Sequence, residues 1–297
     1  MKWTLSARPP FFLPAAVRSH GWIQLAPFHR EDEEGTAFTY VRELDSGRAV
    51  EMRVTGAPGG VSVEVDAALT QDEQAALSRD VAWMLALDLD LSEFYELVRD
   101  EPKLAHVERR AQGRVLRSPT LFEDIVKTIL TTNTAWGGTK RMVSAVVSQF
   151  GAPLPGDAGR HAFPGPERLA TSDEETLRNE TRLGYRAPYV LALARAVAGG
   201  ELDLEAYKTS DLPTPELRKE MLALKGVGPY AAANLMVLLG RYDFLPVDSW
   251  ALKVVSHEWH GGQPIGATEV EAAFEHWGAW KGLAYWFWDW SYLAEGG

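Results

Sequence analysis

The sequence predicts an α+β fold, mainly α, in which an N-terminal antiparallel β-sheet domain is followed by an all-helical region. Short alternating segments separated by turn residues fill the first third of the chain, and apolar residues recur at helical spacing from about residue 70 onward. Late in the chain a Gly-x-Gly turn opens a further helix. The division is placed between residues 1–110 and 111–297.

Length and composition bound the possibilities. With 297 residues, 46% of them hydrophobic, the chain can build one large or two moderate cores. No run of about 18 apolar residues occurs, so no membrane span is expected. Pro9, Pro10 and Pro14 break up any signal-peptide core. The absence of cysteine excludes disulfides, thiolate nucleophiles and cysteine-ligated metals, and fits a cytoplasmic protein. A net charge of −11 argues against non-specific coating of nucleic acid, which depends on neutralising phosphates. The charge is uneven, however. From Lys103 to Arg141 there are eight basic residues and three acidic ones, as either a nucleic-acid face or a solvated helix surface would have.

The elements follow in order. Phe38–Arg42, Val50–Val54 and Val61–Val65 alternate, with Asp45-Ser46-Gly47 and Ala57-Pro58-Gly59-Gly60 between them, which predicts hairpin strands and a sheet with one wet face. Thr70 is positioned to cap a helix with Asp72 and Glu73 in its first turn. From Ser118 to Leu130 an apolar stripe of Leu121, Phe122, Ile125, Val126, Ile129 and Leu130 predicts a buried amphipathic helix. Thr131 to Thr134 form a small polar connection to a second helix ending at Phe150. Residues 151–165, rich in Gly and Pro, read as a loop. Ser172 to Glu175 open another helix, and Leu183-Gly184-Tyr185-Arg186-Ala187-Pro188-Tyr189 precedes one more. Tyr185 and Arg186 read as packing residues, with a placement facing DNA as the alternative.

The most informative stretch is Leu224-Lys225-Gly226-Val227-Gly228-Pro229-Tyr230. Two glycines before a helix allow a tight turn that aims free amide N–H groups and the positive end of the helix dipole at one point, which suits a phosphate. The same pattern also serves as a plain inter-helix linker. Pro229 suits the first helical position and Gly240 the end of the helix. The apolar run from Phe244 then leads to Asp248, either a reactive carboxylate or an ordinary N-cap.

These residues together resemble the helix-hairpin-helix (HhH-GPD) DNA glycosylase superfamily, in particular its 3-methyladenine (alkylbase) and 8-oxoguanine branches. The likeness spans roughly residues 115–290 and puts the helix-hairpin-helix at about 217–240. It implies a base-excision enzyme in which Asp248 is the catalytic carboxylate, Lys225, Gly226, Val227 and Gly228 grip DNA, and Asn133 with Thr134 enters the duplex where a base has been flipped out. Bifunctional relatives carry a Schiff-base lysine at the place held here by Tyr230. The resemblance therefore implies a monofunctional glycosylase. Tyr230, Asn234, Trp286 and Tyr285 would form the base pocket, its rings suiting an electron-poor alkylated purine. Of the rings crowded between Phe274 and Trp290, most are expected to be core.

His257 and His260 are three apart, where the zinc-protease motif needs four, so no catalytic metal is expected. No cofactor is expected beyond a structural monovalent cation on the hairpin carbonyls. The implied partner is double-stranded DNA holding a damaged base, bound by a monomer with no membrane involved. An 8-oxoguanine or deaminated-base specificity, and a non-catalytic DNA-binding module, are the alternatives.

Overall fold

The computed structural model describes residues 1–245 and 247–290; Pro246, in the run before Asp248, and residues 291–297 lie outside them. Among the described residues no helix is long and apolar enough to cross a membrane.

The chain forms two compact units that do not follow the expected division at residue 110. One contains residues 1–89, 114–210 and 224–226; the other contains residues 90–113, 211–223 and 227–297.

The first unit holds a five-stranded antiparallel sheet of order β1-β5-β4-β3-β2, with β1 Lys2–Ser6, β2 Phe28–Arg30, β3 Ala37–Glu43, β4 Ala49–Ala57 and β5 Gly60–Val65. Strands β3 to β5 are the predicted ones, and two edge strands extend them. The expected wet face is covered at β3, whose residues from Ala37 to Val41 are all buried. On one face Tyr40 donates its hydroxyl to Glu123 at 2.5 Å. On the other, Val41 and Ala49 pack with Ala152 and Ala162, which flank a short hairpin of Pro153–Leu154 and Asp157–His161 where a loop was expected. Sheet and helices thus share one core, which is why a boundary at residue 110 fails.

The helix Leu121–Thr131 is buried on every side from Leu121 to Leu130, not along one stripe. Burial of Glu123 and Lys127 is possible because they pair one turn apart at 2.6 Å, with the ammonium also 4.8 Å from the Phe28 ring. Asp124 accepts from Trp22 Nε1 at 2.7 Å and from the Ser118 amide at 2.9 Å. The basic segment is therefore no continuous surface. Arg114, only 1% exposed, donates to the carbonyls of Arg8, Pro10, Ala86 and Leu89. Arg117 is buried over the Trp83 ring at 4.3 Å.

The second unit holds the helices Thr214–Ala223 and Pro229–Leu238, which pack on each other, and the helices Ser249–His260, Ala267–Phe274 and Lys281–Phe287. Phe274, Trp277 and Trp288 form its aromatic core, with the ring pairs 5.2–5.5 Å apart. Trp259, 40% exposed, covers that core at 5.1 Å from Trp288.

Candidate active site

The turn between the hairpin helices is built as the sequence predicts, with one refinement. Only Gly226 needs its glycine for conformation, since its φ is +88°. Gly228 is extended at φ −89° and occupies the N-cap of the helix that Pro229 begins, with no side chain capping it. The first-turn amides are therefore not satisfied by a cap, which leaves a site suited to an anion. Lys225 and Gly228 are exposed, whereas the Val227 side chain is buried, so Val227 offers the outside only its backbone. The helix closes at Gly240, φ +77°, with Arg241 N bonded to Met236 O at 2.8 Å.

Asp248 caps the helix Ser249–His260 by accepting from Ala251 N at 2.8 Å and is only partly buried. The N-cap reading thus holds, and the capping bond fixes a carboxylate that remains open to its surroundings. Tyr230 and Tyr285 lie within its electrostatic reach. Burial first, and then the Asp248 charge, raise the Tyr230 hydroxyl above its ordinary pKa, while a hydrogen bond from Asn234 opposes the shift. Burial first, then the charges of Asp248 and Tyr230, push the Tyr285 hydroxyl still further up. The two rings differ in exposure. Tyr230 is 44% exposed, whereas Tyr285 is 7% exposed and stands edge-on to Phe274 at 5.5 Å.

Asn234 directs Nδ2 to the Tyr230 carbonyl at 2.9 Å, so one of its donors is already used within its own helix. Trp286, next along the helix from Tyr285, is half-buried. Among the described residues no group of three or more His, Asp or Glu side chains is gathered for a metal ion.

In the first unit, Asn133 and Thr134 are both exposed. Asn133 holds a left-handed φ of +46°, a conformation asparagine tolerates better than most residues. Thr134 lies over Gly138, where a Cβ would be 2.3 Å from Oγ1. Tyr185 departs from the packing expected of it. It is not packed away but 45% exposed, 3.3 Å from Asn133 Nδ2 and 3.4 Å from the Thr132 carbonyl. Arg186 is buried as expected, 4.4 Å beneath the Tyr185 ring and bonded to the Thr132 carbonyl. The Gly184-Tyr185-Arg186 3₁₀ turn, entered through a left-handed Gly184, was the available signal that this tyrosine leaves the helical packing pattern.

The family model described as "HhH-GPD superfamily base excision DNA repair protein" matches residues 126–279, more than half of the chain. A DNA-3-methyladenine glycosylase of Bacillus subtilis is 27% identical over 169 residues, which is 56% of this chain and 55% of the relative. The chain thus spans only about half the length of that relative. A 3-methyladenine DNA glycosylase structure from Archaeoglobus fulgidus matches at TM-score 0.75 and 21% identity, covering 96% of this chain and 97% of that one. The Clostridium acetobutylicum 8-oxoguanine glycosylase/lyase in complex with double-stranded DNA matches at TM-score 0.68 and 22% identity, over 91% of this chain and 90% of that one. At such identities the two structures share the fold with this chain. The chain belongs to the HhH-GPD superfamily of base excision DNA repair proteins.

Proposed function

We propose that the protein is a monofunctional DNA glycosylase that flips a damaged purine out of double-stranded DNA and hydrolyses its N-glycosidic bond, with an alkylated base such as 3-methyladenine as substrate. The observation that carries this reading is the partly open Asp248 carboxylate held within electrostatic reach of Tyr230 and Tyr285. In the reaction the C1′–N bond breaks with its electron pair leaving on the base. The sugar carbon acquires oxocarbenium character, and water forms the new C1′–O bond. Asp248 stabilises the developing positive charge and accepts the proton of the incoming water.

Tyr230 supports the monofunctional part. A phenol at this place supplies no amine to form an imine with the sugar, so strand cleavage is not expected. Its exposed ring, with Trp286 and Tyr285, suits an electron-poor or cationic base, whose charge is attracted to ring faces. Lys225 and the amides from Gly226 onward would hold phosphate, and the Asn133–Thr134 loop would fill the vacated stack. A monovalent cation on the hairpin carbonyls would be structural, and the chemistry needs no other cofactor.

The test is a panel of duplexes, each with one damaged base, scored for free-base release with and without alkali. Release of an alkylated purine, with strand breaks appearing only after alkali, is expected. Release of 8-oxoguanine or a deaminated base instead would replace the substrate, and breaks without alkali would overturn the monofunctional assignment. No base release from any duplex would leave a DNA-binding module.

A further inference from the structure

Trp250 stands out among the rings of the second unit. Trp277 and Trp288 are 3% and 6% exposed, whereas Trp250 is 45% exposed. Trp259 is also exposed, but it covers the aromatic core as a ring-on-ring neighbour of Phe274, Trp288 and Trp290. Among the described residues, the contact made by the Trp250 ring is with the Lys253 ammonium, 5.8 Å from the ring centroid. Single exposed aromatics are ordinary on protein surfaces. This one differs in its position: it follows Asp248 by two residues, and Lys253 and His257, three and seven residues on, project from the same helical face and are exposed. Lys253 and His257 also border a hollow of about 360 Å³ against Pro264.

We infer that Trp250 and Lys253 form a nucleotide-binding ledge. It would receive the nucleotide adjacent to the flipped one on the same strand, with the indole stacking on its base and the ammonium meeting its phosphate. Trp250 lies in the first turn of the helix that Asp248 caps, where the rise is about 1.5 Å per residue, so a strand whose sugar lies at Asp248 would carry its neighbouring nucleotide past Trp250. Extruding one nucleotide removes a stacking partner from the next, and an exposed indole replaces that partner whatever the base, because every base has a π-face. The lysine adds the phosphate contact that such stacking platforms combine with their rings. The inference rests on the glycosylase reading for the placement of the strand at Asp248. Its predicted effect, though, is on DNA binding and not on bond cleavage.

The experiment measures equilibrium binding of the full chain to two duplexes, one undamaged and one holding a tetrahydrofuran abasic analogue, for Trp250→Ala, Trp250→Phe and Lys253→Gln. Trp250→Ala is expected to raise the Kd for the abasic duplex about tenfold or more while changing the undamaged duplex less than about twofold. Trp250→Phe, which keeps a ring, should stay within about threefold of the parent on both. Lys253→Gln should weaken both and lower the slope of log K against log salt by about one. Wild-type affinity of Trp250→Ala for the abasic duplex, an equal loss on both duplexes, or no wild-type preference for the abasic duplex would each overturn the ledge. Absence of base release by the wild type would overturn the proposed chemistry and leave these binding comparisons readable.

Discussion

Gly226 and Tyr189 meet so closely that a Cβ on the glycine would lie 2.8 Å from Tyr189 Cδ2 and 2.9 Å from its Cβ. The backbone there is also left-handed, at φ +88°. Gly226→Ala therefore carries two penalties, a ring displacement and backbone strain, and should cost on the order of 1–3 kcal/mol in chemical unfolding. Gly228 gives the opposite expectation. At φ −89°, with no atom within 4 Å of an added Cβ, Gly228→Ala should change stability by less than about 0.5 kcal/mol. It should nevertheless weaken DNA binding, since the methyl would stand among the amides offered to phosphate. Denaturation and binding measured on both variants separate the two glycines, and a Gly228→Ala variant with unchanged DNA affinity would remove the turn from the interface.

Asp248 has a structural duty that must be distinguished from its chemical one. Asparagine caps helices about as well as aspartate, so Asp248→Asn should keep the bond to Ala251 N and leave stability within about 0.5 kcal/mol. Loss of the negative charge should slow base release by about a hundredfold or more while DNA affinity is retained. Asp248→Ala would add the loss of the cap, about 1 kcal/mol. Single-turnover kinetics beside unfolding curves check this. An Asp248→Asn variant releasing base at the parental rate would exclude the carboxylate from the reaction.

Local signals were legible in the sequence and long-range ones were not. The Thr70 cap, the Gly226 turn, the Gly240 helix end and strands β3 to β5 each depend on a few adjacent residues, and each forms where it was read. β1 pairs with β5 about sixty residues away, a pairing that no local pattern reveals, and β2 has only three residues. The charges of Glu123 and Lys127 made their helix look amphipathic, because neutralisation by a partner one turn away is invisible to a hydropathy pattern. Asp248 could be singled out by type as either a cap or a reactive carboxylate, and Tyr230 through the family resemblance. The engagement of Asn234 with the Tyr230 carbonyl could not, since it is a choice of side-chain direction within one helix.

Half-buried His20, whose ring lies 4.7 Å from that of Trp22, and fully buried Asp124, which accepts from Trp22, predict a specific pH dependence. Burial is the main cause of two opposite shifts: it lowers the His20 imidazole from 6.5 to about 4 and raises the Asp124 carboxyl from 3.8 to about 6. The depressed histidine contributes stability that is present above pH 6.5 and lost as pH falls through 4. The raised aspartate contributes stability that is present below pH 3.8 and lost as pH rises through 6. Between about pH 4 and 6 the two slopes oppose, so the parent should be nearly level there. Asp124→Asn should leave stability rising with pH over that window, and His20→Gln should leave it falling. Urea unfolding at half-unit pH steps reads both slopes, and parallel profiles for the two variants would show that these groups do not set them.

Tyr185 connects the exposed Asn133 loop to Tyr189, and hence to the residue packed on Gly226, since its ring stands edge-on to Tyr189 at 6.3 Å. Tyr185→Phe keeps that ring contact and deletes the hydroxyl that meets Asn133 and Thr132. Being exposed, the change should cost less than about 0.5 kcal/mol of stability, while the loop loses one of the contacts that hold Asn133 in its left-handed conformation. Base release under single-turnover conditions should fall several-fold, and the same change made on an Asn133→Ala background should have little further effect, because the contact is already gone. Arg186→Ala is expected to behave differently. Loss of the buried guanidinium removes the donor to the Thr132 carbonyl and should lower stability by about 1–3 kcal/mol. A double-mutant cycle between Tyr185 and Asn133 that returns additive effects on excision would show that the hydroxyl acts independently of the loop.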